Sequence, residues 1–149
     1  MLPSSGTSAP MTGPSQASPS TTVRIIHVAL TVAPVFVIAA LWIAFSGRTI
    51  APALGGVVGY AVYLGCAAVF ALGFWWRTRI PSRAGGLPEE DYWRATMSKA
   101  LLLWGTLEAV VMVAAAIAIL AGQAAVAVVA LMIYLTLMLL SSPGRLAGE

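Results

Sequence analysis

One acidic residue lies in the middle of an apolar stretch that is long enough to cross a membrane. The stretch runs from Ser98 to Leu120, and its only charged residues are Lys99 at its start and Glu108. At about 1.5 Å per helical residue, Glu108 lies roughly 15 Å from Ser98, near the middle of a hydrocarbon layer about 30 Å thick. A carboxylate at that depth is costly unless it is protonated, hydrated or paired. Glu108 is therefore the first candidate for chemistry in this sequence.

The polar side chains that Glu108 can reach belong to other apolar stretches of the chain. Tyr134 and Thr31 complete a candidate proton- or ion-binding site, in which the carboxylate releases its proton when a cation arrives. We favour a packing role, in which Glu108 hydrogen-bonds to Tyr134, Thr31, Thr136 or a neighbouring subunit. The reason is that a single carboxylate without a second polar wall makes a poor pathway.

His27 is the only histidine, and it lies about four residues into the first apolar stretch. A neutral imidazole can relay protons or serve as an axial ligand to a haem or chlorophyll. We favour a partly hydrated histidine near the membrane boundary, because the chain offers no second axial ligand and no haem-attachment motif. The sequence therefore predicts neither a metal site nor a cofactor, with His27 as the one candidate ligand.

Motifs of the common enzyme classes are absent. The sequence contains no Walker loop, HExxH, CxxC, nucleophile elbow or GxGxxG. Its single cysteine, Cys66, allows no internal disulfide. The net charge is +3, but the basic residues flank apolar stretches instead of forming a patch, which argues against a nucleic-acid partner. We predict that the chain is not an enzyme.

Composition determines the class of protein. Of the 149 residues, 60% are hydrophobic and 9% are charged, and the mean hydropathy of +0.92 is that of a polytopic membrane protein. The fold predicted is all-α, with four transmembrane helices arranged as two antiparallel hairpins, first with second and third with fourth. Their predicted ranges are 23–45, 53–76, 98–120 and 124–140, which together make one transmembrane domain over 23–140.

The remaining segments are polar. Residues 1–22 are rich in Ser, Thr, Pro and Gly without any charge, which predicts a disordered tail. Residues 77–97 form a loop in which Pro88 and three following acids predict a short interfacial helix, and 141–149 form a short tail. Four crossings place seven of the eight Lys and Arg residues on one side. That side is predicted to be cytoplasmic and to hold both termini.

Proline, glycine and alanine predict a break in hydrogen bonding, a helix end and close packing of helices. Pro34 removes a backbone donor and leaves a carbonyl for Thr31 or a neighbour to satisfy. Gly122 is predicted to end the third helix in a tight hairpin. Small residues at helical spacing predict faces where helices pack closely, namely Gly55, Gly59, Ala114 and Ala118.

Two segments carry a resemblance to known proteins. They are RIIHVALTVAPVFVIAALWIA in the first crossing and ALLLWGTLEAVVMVAAAIAILAG in the third. They resemble small, uncharacterised bacterial four-helix membrane proteins whose third helix has Trp or Arg, then Glu, then small residues. The resemblance implies the fold and the topology, and it implies no activity.

Taken together, the sequence predicts a non-catalytic integral membrane protein. Its partners are expected to be the lipid bilayer and either other membrane subunits or further copies of itself, because small-residue faces occur on several helices. It would then be an accessory or structural subunit of a larger assembly or a homo-oligomer. The alternative is an oligomeric transporter or channel coupled to protons or cations through Glu108.

Overall fold

The computed structural model describes residues 18–45, 47–48, 50–52, 56–83 and 85–148, with the Val58 side chain excepted. This part of the chain is helical and contains no strand. Five helices follow one another, in chain order α1 (Pro19–Phe45), α2 (Val57–Arg77), α3 (Glu89–Leu120), α4 (Ala124–Leu140) and α5 (Pro143–Ala147). The predicted all-α class is confirmed.

Three segments are long and apolar enough to cross a membrane, namely Pro19–Phe45, Gly59–Arg77 and Glu89–Leu120. α4 is equally apolar but has only 17 residues, or about 25 Å of helix. Large apolar side chains are exposed on the outer faces of α1, α2 and α4, among them Phe36, Leu64 and Met132. Such surfaces are stable in lipid and would be costly in water. The structure thus has the properties of a membrane protein.

α1 begins earlier than predicted, at Pro19 instead of residue 23, and ends at Phe45 as predicted. Ser18 accounts for the early start, because its Oγ accepts a hydrogen bond from the Thr21 amide at 3.4 Å. Proline in the first helical position after a serine is a common helix start, since its missing amide would have no partner there. Residues 1–17 of the predicted tail lie outside the described residues.

α3 is one continuous helix of 32 residues, so the predicted interfacial helix and third crossing are a single element. The start predicted after Pro88 is correct, with Glu89, Glu90 and Asp91 in the first turn. Its length of about 48 Å exceeds the hydrocarbon thickness, so one end must extend beyond it.

The predicted hairpin of the third and fourth helices is confirmed. Gly122 has φ +75°, and the amides of Gly122 and Gln123 donate to the carbonyls of Ile119 and Ala118 at 3.0 and 2.7 Å. This pattern is a Schellman motif, in which glycine adopts the left-handed conformation that ends a helix. The chain reverses there within three residues, and α3 packs along α4.

The predicted hairpin of the first and second helices is wrong in the part of the chain that the structure describes. α1 and α2 hardly touch each other, and each packs against α3 instead. α1 has one narrow buried stripe, formed by Val23, His27, Pro34 and Ile38, and this stripe is already used against α3 and α4. Twelve residues of α3 are buried, compared with four each in α1 and α4, so α3 is the central helix.

α2 approaches α3 closely at a glycine that the sequence pattern did not single out. A Cβ added to Gly73 would lie 2.8 Å from Cδ2 of Leu107 and 3.7 Å from Cδ1 of Leu103. Among the predicted packing residues, Gly59, Ala114 and Ala118 are buried, and Gly55 lies outside the described residues. The Gly73 contact places Leu107 and Leu103 on the α2 side of α3. The two helices run antiparallel, because Tyr63 near the start of α2 bonds to Gln123 just after the end of α3.

Candidate functional site

Polar side chains from three helices converge on the C-terminal end of α4. The last four carbonyls of a helix have no donor within the helix, which is costly away from water. The donors here come from α1, α2 and α3, one from each helix. His27 Nε2 donates to the Met138 carbonyl at 3.1 Å, Arg77 Nε to Leu140 at 2.9 Å, and Trp104 Nε1 to Ser141 at 3.0 Å. We call His27, Arg77 and Trp104 the α4 cap.

Ser141 adds a local hydrogen bond to the same helix end. Its Oγ donates to the Leu137 carbonyl at 2.6 Å. Within the described residues, no buried side-chain nitrogen or oxygen is left without a hydrogen-bond partner. A short helix can end below the membrane surface when its carbonyls are satisfied in this way.

His27 and Trp104 form the buried centre of the α4 cap. Their rings meet edge to face with centroids 4.7 Å apart, and Trp104 is fully buried. Because a carbonyl oxygen can only accept, the Nε2 of His27 carries a proton. The nitrogen that points at Met138 is therefore engaged in a hydrogen bond in this structure. His27 is buried, which differs from the partly hydrated position predicted from the sequence.

Tyr134 is placed at the proline of α1. Pro34 has no amide to bond the carbonyl four residues earlier, which is that of Leu30. The Tyr134 hydroxyl, from α4, donates to this Leu30 carbonyl. The expected satisfaction of the carbonyl by a neighbour is thus found, whereas Thr31 donates to the His27 carbonyl of its own helix at 2.7 Å.

Glu108 is half-buried on α3, one turn beyond Trp104. It lies within electrostatic range of Tyr134. The predicted hydrogen bonds to Glu108 from Tyr134, Thr31 and Thr136 do not form, because these three hydroxyls all donate to backbone carbonyls instead. In the described part of the chain the Glu108 carboxylate has neither a hydrogen bond nor an ion pair.

The structure separates the sequence-predicted residues into two groups. In the first group the side chain donates a hydrogen bond to a backbone carbonyl, as in Tyr134, His27 and Thr31. Glu108 is the second group and makes no such bond in the described residues. Arg77 and Trp104 belong to the α4 cap but were not predicted as site residues. In the sequence each has the features of an interface or packing residue. The described residues contain no group of three or more His, Cys, Asp or Glu side chains that could hold a metal ion.

Two further contacts hold the polar ends of the helices. Tyr92 Oη lies 2.9 Å from the Leu146 carbonyl and 3.0 Å from that of Pro81, which ties α5 and the α2–α3 connection to α3. Arg24 and Glu89 form a salt bridge of 3.2 Å between the beginnings of α1 and α3. This exposed pair is worth little energy by itself.

Comparison of the chain with protein-family models, with curated proteins and with solved structures finds no match. What the site can do must therefore come from its geometry. That geometry consists of hydrogen-bond donors directed at backbone carbonyls, plus the Glu108 carboxylate, which has no partner among the described residues.

Proposed function

We propose that this chain is a non-catalytic integral membrane protein that acts as a structural or accessory subunit of a larger membrane assembly. The assembly is formed with other membrane proteins or with further copies of the chain. In this proposal α1 to α4 all cross the cell (inner) membrane, and both termini lie in the cytoplasm. The excess of Lys and Arg on that side supports the orientation.

The observation that carries the proposal is the contrast between Glu108 and the other polar residues of the helical layer. His27, Trp104 and Tyr134 make interhelical hydrogen bonds to backbone carbonyls, which serves the packing of one chain. In the described residues the Glu108 carboxylate has neither a hydrogen bond nor an ion pair. A carboxylate deep in a membrane is costly unless it is protonated, hydrated or paired, and a donor from another subunit would pair it.

Replacing Glu108 by glutamine tests this proposal. We expect the wild-type protein, extracted from its membrane in mild detergent, to have a native mass above that of the 15.4 kDa chain. Glu108→Gln keeps the shape but removes the charge, and it should shift the protein toward the monomer by about tenfold or more, since a charged hydrogen bond contributes about 1.5–3 kcal/mol. Native mass spectrometry measures both species.

Thr136→Val is the matched control. Thr136 is exposed on α4 and bonds only to its own helix, through the Met132 carbonyl at 2.8 Å. The control should assemble as the wild type does. A wild-type protein that is monomeric, or a Glu108→Gln variant that assembles unchanged, would contradict the proposal.

The second candidate function is proton- or cation-coupled transport by an oligomer. Its support is that Glu108 is half-buried and near the Tyr134 hydroxyl, so a proton or cation could reach it from a cavity between subunits. In liposomes, this function requires flux that Glu108→Gln abolishes while assembly stays intact. Flux that persists in the variant would eliminate it.

A further inference from the structure

A long apolar groove runs between α2 and α3 on the outside of the protein. It consists of two hollows of about 720 and 220 Å³ that share Val69, Leu102 and Thr106 as lining residues. We call it the α2–α3 groove. Among its lining residues, only Cys66, Trp76 and Thr106 have polar atoms in their side chains. The Thr106 hydroxyl already donates to the Leu102 carbonyl at 2.7 Å. The groove therefore suits a hydrocarbon chain.

Both walls of the groove follow helical spacing. The α3 wall contains residues at alternating steps of four and three, namely Leu102, Thr106, Ala109 and Val113. The α2 wall contains Val62, Gly65, Val69, Leu72 and Trp76 in the same manner. Glycines widen it, since a Cβ added to Gly65 or Gly105 would have no heavy atom within 4 Å. The space beside these glycines is open along the helices.

Each wall ends in a basic residue at the same end of the groove. Lys99 comes three residues before Leu102 on α3, and Arg79 comes three residues after Trp76 just beyond α2. Because the helices are antiparallel and Trp76 lines the same hollow as Leu102, one further turn along each wall brings Arg79 and Lys99 to similar depth. Both side chains are exposed, and neither has a carboxylate partner among the described residues.

Aromatic residues mark this end of the groove as the membrane–water boundary. Trp75 and Trp76 are exposed there, and the Arg79 guanidinium lies 4.6 Å from the ring centroid of Trp75. Tryptophan is enriched at the headgroup level, where its ring is partly wetted. Arg79 and Lys99 thus lie at the depth of the lipid headgroups, about one helical turn beyond the end of the groove.

We propose that the α2–α3 groove binds an anionic membrane phospholipid, with one acyl chain along the groove and the phosphate between Arg79 and Lys99. Basic sites between transmembrane helices recognise anionic headgroups through this combination of charge and apolar surface. The proposal depends on the proposed function only in requiring that the chain is inserted in a bilayer.

Charge favours a lipid over a second copy of the chain. Two copies related by a twofold axis along the membrane normal would bring Arg79 and Lys99 to the same depth in both subunits. Four like charges would then meet across the interface, and their mutual repulsion would oppose association of the two copies. An anionic headgroup, whose phosphate carries one negative charge, is instead attracted to both cations.

Native mass spectrometry of the full chain in detergent tests the site, with phosphatidylglycerol and phosphatidylcholine of the same acyl chains as probes. We expect phosphatidylglycerol to bind at least about tenfold more tightly, since each basic residue contributes about 1 kcal/mol toward an anionic lipid. The double variant Arg79→Ala/Lys99→Ala should lose this preference. Gly105→Leu, which fills the groove, should weaken both lipids.

Two control variants keep the test specific. Arg83→Ala/Arg94→Ala removes the same charge away from the groove and should bind as the wild type does. Ala39→Leu introduces the same leucine side chain on the exposed face of α1 and should also leave binding unchanged. Equal binding of the two lipids, or an equal loss in the Arg83/Arg94 control, would overturn the proposal.

The same spectra separate this proposal from that of a membrane assembly. If the protein is monomeric at 15.4 kDa but binds phosphatidylglycerol selectively, the result supports the lipid site and contradicts the assembly. The opposite result is that Gly105→Leu dissociates an assembly and that the wild type shows no lipid selectivity. That result would assign the groove to a second copy and overturn the lipid site.

Discussion

Replacing Trp104 by alanine is expected to lower the free energy of unfolding by about 3–5 kcal/mol. The indole is fully buried, so its loss leaves a cavity between α1, α3 and α4. It also removes the Nε1 donor to the Ser141 carbonyl, which then has no side-chain partner from another helix. Because the edge-to-face contact with His27 is lost at the same time, the entire α4 cap should loosen.

Thermal unfolding in detergent, followed by circular dichroism, measures this effect. Trp42→Ala is the matched control, because Trp42 is 40% exposed on α1 and should cost less than about 1 kcal/mol. Comparable destabilisation by the two substitutions would contradict the role assigned to the α4 cap.

Replacing Tyr134 by phenylalanine is expected to cost about 1–3 kcal/mol, a large effect for the loss of one oxygen atom. The hydroxyl is the donor to the Leu30 carbonyl that Pro34 leaves without an amide. Phenylalanine preserves the ring and its packing, so the cost reports the hydrogen bond. Unfolding curves of the purified variants give the difference.

A double-mutant cycle with Pro34→Ala identifies the cause. Alanine at residue 34 restores the amide that can bond the Leu30 carbonyl within α1. In that background Tyr134→Phe should therefore cost less, with a coupling energy of about 1 kcal/mol or more. Strictly additive effects would show that Tyr134 stabilises the protein by packing alone.

The membrane-like character and most helix ends could be predicted because they depend on local sequence. The end of α1 at Phe45, the turn at Gly122 and the start of a helix after Pro88 each follow from residues next to them. The continuation of that helix into the third crossing was not predicted. The start at Pro19 was missed because Ser18 and Pro19 lie within a stretch whose composition is typical of a disordered tail.

The packing of α1 and α2 could not be predicted from chain order. Helices joined by a short connection are usually neighbours, but here α3 offers more buried surface to each than they offer to one another. Helical periodicity gives the residues on one face of a helix and does not give the helix that covers that face.

The candidate site shows the same limit. Sequence identifies Glu108, His27 and Tyr134 as polar residues within apolar segments, and the structure has each of them on a helix. The partner of each depends on angles between helices that are distant in the chain. His27 finds Met138, 111 residues away, and Tyr134 finds Leu30, 104 residues away, while Glu108 finds no donor in the described residues.

The environment of Glu108 in the membrane is the most direct test of its proposed role at a contact between subunits. A nitroxide attached to Met112→Cys in a Cys66→Ala background lies one turn beyond Glu108 on the same side of α3 and leaves the carboxylate in place. In membranes, we expect low accessibility of this label both to oxygen, which reports lipid, and to a water-soluble nickel complex. Adding Glu108→Gln should raise its accessibility to oxygen. If the label in the protein that retains Glu108 is highly accessible to the nickel complex, the site faces an aqueous pathway. If it is highly accessible to oxygen, the site faces lipid. Either result would contradict a subunit contact at this residue.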